Sequence, residues 1–431
     1  MSPITPYKIN IPDEKIQRLK QQLALADFPD ELPDVKPWSR GTPLADLKRL
    51  AAYWQDGFDW RKQEAKLNEL PQFMTQIDVD GFGTYDIHFV HQQSPVRNAI
   101  PLLFCHGWPG SFAEVTKILP LLINGGGDAP SFHVVVPSMV DYGFSSAAKK
   151  ANFQFEQHAE VAHKLMLKLG YKEYGKPIPK IRAENTVIDS PSKVSQGGDL
   201  GYFVTRFLAM LYPESCKAQH VNMCHPPEIT AISHPALWAQ FQATPLTEYE
   251  KAGLARSRWF REEGFGYNLL HSTKPQTAGY AITASPVSLL AWIYEKLHDW
   301  TDGYAWTDDE ALTWISIYYF STAGPAASQR IYYEKTHRTP KAGFPSKEAV
   351  VEVQRYIDVP LGYSRFPKEI ILLPKVWVKA MGPVVFLKEH ETGGHFAAWE
   401  LPEVLVGDLR TMFGKSSAAY GVVPGKSGFD V

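Results

Sequence analysis

The sequence predicts an α/β fold: a mostly parallel sheet with an inserted helical cap and an N-terminal helical extension. Three observations predict it. From Ile100 onward, short apolar runs alternate with helical patterns, as in parallel strands covered on both faces. From Pro226 to about Pro345 the alternation stops and aromatic-rich helical patterns take over. The string Gly197-Gly198-Asp199-Leu200-Gly201 has the small-x-nucleophile-x-small shape of a strand-to-helix elbow.

The elements follow in order. Residues 1–90 read as an N-terminal extension. Asp13 is placed to cap a helix with Ile16, Leu19 and Leu23 on one face, and a second helix is predicted over Pro43–Phe58. Two strands, Phe73–Val79 and Tyr85–His91, are joined through Asp80-Gly81. The first part of the core, 91–225, holds strands at Pro101–Cys105, His133–Pro137 and Ala218–Met223, and Val194-Ser-Gln leads into the elbow. Helices are predicted over Phe112–Leu122, Gln154–Leu169 and Leu200–Tyr212. The cap, 226–345, carries helical patterns at Leu246–Glu263, Pro286–Trp300 and Asp308–Tyr319. The second part of the core, 346–431, has strand signals at Val359–Leu361 and Pro383–Lys388 and a last amphipathic helix, Leu401–Met412. Gly125-Gly126-Gly127 reads as a turn, because it lacks the strand-to-helix context of a phosphate loop.

Bulk properties exclude several classes. The 44 basic and 46 acidic residues nearly balance and form no basic block, so no nucleic-acid partner is expected. Hydrophobic content of 44% with 12 tryptophans fits a large globular core. Three cysteines, Cys105, Cys216 and Cys224, fit a reducing compartment and show no metal spacing. No signal peptide, membrane span or peroxisomal tripeptide is visible, so a cytoplasmic protein is expected.

The chemistry starts at Asp199. An elbow lifts its central side chain above the sheet and aims the next backbone N–H, from Leu200, at the site as an oxyanion donor. A serine that attacks a saturated carbon would become an ether, whereas a carboxylate becomes an ester that water can cleave. Asp199 therefore suits displacement at sp³ carbon, such as opening an epoxide or expelling a halide. His395, late in the chain after Gly393-Gly394, is the expected base for that water. The string His390-Glu-Thr-Gly-Gly-His395 is one residue too long for a helical metal motif and contains two glycines, so no metal is expected. The orienting acid must lie between elbow and histidine. Asp358, Glu369 and Glu400 are candidates, with Glu369 slightly favoured over Asp358. Trp108 follows the first strong strand, where a second oxyanion N–H is expected.

Taken together, HGWPGSF at 106–112, QGGDLG at 196–201, FPKE at 366–369, GGHFAAWELP at 393–402, SQRIYYE at 328–334 and SPVSLLAWIYEK at 285–296 give a resemblance over most of the chain. The chain resembles the microsomal-type and related fungal epoxide hydrolases of the α/β-hydrolase superfamily, and its N-terminal region resembles theirs. The resemblance implies a cofactor-independent hydrolase that adds water to an epoxide to give a vicinal diol. It implies Asp199 as nucleophile, His395 as base, Glu369 as orienting acid and two cap tyrosines as proton donors. Tyr267 matches the first tyrosine. Tyr332 matches the second, with Tyr333 beside it as a one-residue alternative. It also suggests a homodimer and leaves detoxification and biosynthesis equally open. One departure is the run Lys172 to Lys193, with Pro177, Pro179 and Pro191, where the family passes quickly to the nucleophile strand. A haloalkane dehalogenase sharing the aspartate elbow, or a catalytically silent α/β-hydrolase that only binds, are the alternatives.

Overall fold

The computed structural model describes residues 2–171 and 192–430, so the Lys172–Lys193 departure lies, up to residue 191, outside the described residues. Nine strands form one sheet: β1 (Thr5–Pro6), β2 (Gln72–Val79), β3 (Gly83–Gln92), β4 (Ile100–Cys105), β5 (Phe132–Pro137), β6 (Lys193–Gly197), β7 (Cys216–Val221), β8 (Leu361–Arg365) and β9 (Val384–Glu389). Their order is β1-β2-β3-β5-β4-β6-β7-β8-β9. The first three strands and β5 pair antiparallel, and every pairing from β5 through β4 to β9 is parallel. β4, β5 and β6 are buried at every position; that explains the largely apolar reading of β4 and β5, whereas β6, Lys-Val-Ser-Gln-Gly, is buried despite its polar residues.

This order puts the site where it is. The chain runs from β4 outward to β5 on one side, then returns to β6 on the other. The carboxyl ends of β4 and β6 therefore flank a topological switch point, the usual crevice of an open parallel sheet. Trp108 follows β4, Asp199 follows β6, Glu369 follows β8 and His395 follows β9, all at that edge.

The elements differ from the sequence reading for local reasons. Asp13 opens the helix Asp13–Ala24 from inside its first turn; its carboxylate bonds Arg61 instead of capping. The Phe112–Leu122 segment is two pieces, a 3-10 turn Phe112–Val115 and a short helix Leu119–Ile123 with Pro120 in its first turn, since proline cannot continue a preceding helix. The strand expected at Val359–Leu361 is shifted C-terminally to Leu361–Arg365. The helix Trp60–Leu67, capped by Asp59, falls in a polar stretch without an apolar stripe. β2 and β3 join the main sheet through β3–β5 pairing.

Between β7 and β8 lie the helices Pro235–Ala243, Glu248–Trp259, Gly266–Thr273, Pro275–Ala284, Pro286–Asp299, Asp308–Tyr319 and Arg330–Thr336. Four of these, Pro235–Ala243, Gly266–Thr273, Pro275–Ala284 and Arg330–Thr336, have too short or too weak a stripe to be read from sequence. The N-terminal helices pack on Asp308–Tyr319: Trp54 Nε1 donates to Ser316 Oγ at 3.1 Å and Arg49 pairs with Asp308 at 2.5 Å. Among the described residues no helix is long and apolar enough to cross a membrane.

The elbow itself depends on close approach. A Cβ on Gly201 would lie 1.9 Å from the Cys105 carbonyl oxygen, and one on Gly197 would lie 2.5 Å from the Gly201 carbonyl oxygen. The helix after Asp199 thus packs directly on the end of β4. Gly201→Ala is expected to lower stability by roughly 1–3 kcal/mol through overpacking; urea unfolding of the purified variant measures it.

Candidate active site

Asp199 sits in the elbow with φ +47°, a left-handed conformation unusual for a non-glycine residue. That turn carries its carboxylate off the sheet into a buried position. Oδ1 accepts from the Trp108 N–H at 2.7 Å, and the Leu200 N–H also reaches the carboxylate. Both expected oxyanion donors therefore converge on one side chain. Burial raises the Asp199 pKa, while His395 and the two N–H groups oppose the rise.

His395 faces Asp199 from the loop after β9. Its Nε2 is 3.6 Å from Asp199 Oδ2, within ion-pair range and just beyond a hydrogen bond. Its Nδ1 donates to Glu369 Oε1 at 2.6 Å. The ring is oriented by backbone as well. The His395 N–H donates to the Trp300 carbonyl at 2.8 Å, and Lys368 N donates to Gly393 O at 3.0 Å, stitching the Glu369 and His395 loops together. Burial alone would favour the neutral imidazole, but the carboxylates of Glu369 and Asp199 outweigh it and raise His395 to about 9.

The three acid candidates separate clearly. Glu369 is fully buried on the imidazole, and Asp358 is exposed. Glu400 accepts from the backbone N–H groups of Asp302 at 2.8 Å and Phe396 at 3.1 Å, bracing the histidine loop without bonding the ring. His390 turns away from the site and bonds Asp408 Oδ2 at 2.5 Å, so the two histidines of that string do not share a partner.

The tyrosines come from the helices between β7 and β8. Tyr267 and Tyr332 are buried, with ring centroids 5.8 Å apart. The Trp108 ring stacks on Tyr267 at 4.9 Å and meets Tyr332 edge-on at 5.9 Å. The Tyr267 and Tyr332 hydroxyls interact with each other, and Tyr333 points outward and stacks on His337. Burial, with the Asp199 charge adding to it for both residues, pushes both phenols above their ordinary pKa, so both are neutral donors. The sequence pattern does not single out two nearby ammonium groups: Lys296 Nζ lies 5.0 Å from the Tyr267 ring centre and Lys335 Nζ 4.4 Å from that of Tyr332. Lys296 ends the SPVSLLAWIYEK string, and Lys335 follows SQRIYYE by one position, so those matches were the available signal.

The ion pair has a pH consequence. A histidine whose folded pKa lies above its unfolded value contributes stability below the unfolded value and loses it as pH rises. His395 stabilisation is thus complete below about pH 6.5 and fades as pH passes about 9. Thermal unfolding from pH 6 to pH 10 is expected to show this loss, and His395→Gln should remove that component of the slope.

Known proteins resemble the chain over most of its length. Residues 4–115 match the epoxide hydrolase N-terminus family and residues 100–174 the alpha/beta hydrolase fold family. Epoxide hydrolase 1 of Sus scrofa is 33% identical over 437 residues, covering 95% of this chain and 88% of the pig protein. The Aspergillus niger epoxide hydrolase structure superposes with a TM-score of 0.76 at 32% identity, covering 95% of each chain. The juvenile hormone epoxide hydrolase of Bombyx mori gives a TM-score of 0.80 at 26% identity, over 95% of this chain and 93% of that one. The protein is an enzyme of the epoxide hydrolase family, built on the α/β-hydrolase fold.

Proposed function

We propose that this enzyme converts an epoxide to a vicinal diol through an ester on Asp199. The single observation that carries the reading is the Asp199 carboxylate. Its Oδ1 is held 2.7 Å from the Trp108 N–H, while Oδ2 faces the His395 ring. Oδ2 attacks an epoxide carbon and the carbon–oxygen bond of the ring breaks. The alkoxide that leaves takes a proton from Tyr267 or Tyr332, whose neutral phenols suit that task. Oδ1 becomes the ester carbonyl, already in its oxyanion cradle. Esterification removes the negative charge of Asp199, one of the influences holding the His395 proton, so the ring releases that proton to solvent and its neutral form is free to take one from water at the next step. Glu369 keeps the ring oriented and stabilises its charged form.

The helices between residues 226 and 345 serve as the lid that carries the phenols, and residues 1–90 brace that lid through Trp54 and Arg49. Three free, buried cysteines support a reducing, cytoplasmic location. A homodimer is the proposed assembly, read by light scattering on the purified protein.

Purified protein with an aryl or alkyl epoxide is expected to yield diol. Asp199→Ala is expected to abolish it. Tyr267→Phe and Tyr332→Phe should each slow ring opening, and the double variant should lose about 10²–10⁴-fold. Full turnover by Asp199→Ala rejects the mechanism, as does an unaffected double tyrosine variant.

A further inference from the structure

Two carboxyl groups, not one, approach the loop after β4. Glu114, two positions beyond the HGWPGSF string, folds its carboxyl back over that loop. A Cβ on Gly110 would lie 1.7 Å from Glu114 Oε1, so a larger residue there would displace the acid from this position. Glu114, Gln196, Asp199, Asn222 and His395 line one small cavity with a volume of about 20 Å³. A single water needs about 10–15 Å³ and two to four polar partners.

We propose that Glu114 is a positioning residue for the hydrolytic water, which this cavity holds between Glu114, His395 and Gln196. The proposal rests on the covalent reading given above. Gln196 is fully buried, its Nε2 donates to Asn222 Oδ1 at 2.8 Å, and its Oε1 has no partner among the described residues. That orphaned acceptor suits one hydrogen of a bound water, since a buried polar atom without a partner is costly. His395 takes the other hydrogen. Burial, with the Asp199 charge adding to it, pushes the Glu114 carboxyl up to about 8, so it stays neutral near pH 7 and adds no charge against the forming oxyanion.

The step balances as follows. The water oxygen bonds to Cγ of the Asp199 ester and its proton passes to His395 Nε2. The carbonyl electrons move onto Oδ1, held by the Trp108 N–H. When the carbonyl re-forms, the bond from Cγ to the ester oxygen breaks, and that oxygen leaves as the second hydroxyl of the diol with the proton from His395. The former water oxygen remains in the Asp199 carboxyl group, whose second water-derived proton is returned to the tyrosine that protonated the alkoxide, leaving Asp199 as a carboxylate and both phenols neutral.

Rapid-quench mass spectrometry of the alkylated enzyme separates the two half-reactions. Glu114→Met is expected to keep the alkylation burst and slow ester hydrolysis, up to about 100-fold, because the water loses its position. Glu114→Gln, which keeps a neutral hydrogen-bonding group, is expected to restore much of the rate. A burst of full amplitude certifies a folded site. If Glu114→Met shows none, Gln196→Met on the opposite wall carries the same test. Hydrolysis at the wild-type rate in the variant that carries the test, or equal slowing of both half-reactions, overturns the proposal. Absence of any alkylated species in the wild type overturns the covalent reading itself.

Discussion

The structure turns on one buried carboxylate held between backbone N–H groups and an imidazolium. Asp199 is desolvated, and an isolated charge there would be costly. Two fixed N–H donors and the raised His395 offset that cost. Each partner comes from a different strand end, so the interaction exists only if β4, β6 and β9 stand in register at the same edge of the sheet. The elbow glycines, the bridge between the Glu369 and His395 loops and the Trp300 carbonyl all serve that register.

The same constraint explains the aromatic wall. Trp108 supplies a backbone donor to Asp199 and a ring that stacks on Tyr267, so one residue couples the sheet edge to the overlying helices. Trp300 does the reverse. It ends the helix Pro286–Asp299, gives its carbonyl to His395 and packs its ring 5.0 Å from that imidazole. Apolar rings exclude water from a site whose charges then interact strongly.

Much of this was legible in the sequence, because it is encoded locally. An aspartate in a glycine-bounded elbow, strands with unbroken apolar runs, and the Asp308–Tyr319 helix with its Thr307 capping box all depend on neighbours in the chain. What the chain encodes only weakly depends on distant partners. Choosing Glu369 over Asp358 needed the imidazole 26 positions away, and choosing Tyr332 over Tyr333 needed to know which face of a seven-residue helix is covered. Glu114 reads as an ordinary helical acid until Gly110 and the cavity beside Asp199 are seen together. Strand β8 was displaced because its Gly-Tyr-Ser-Arg sequence carries little apolar signal of its own, and burial by its neighbours defines it.

The central claim is that substrate bonds to the enzyme before water does. One measurement addresses it directly: a single turnover in heavy-oxygen water with enzyme in excess, followed by mass analysis of the peptide containing Asp199. Attack through the enzyme predicts one heavy oxygen in the aspartate carboxyl and none in the diol after that first turnover. Label in the diol with an unlabelled aspartate would mean that water opens the ring directly, and the account would be wrong.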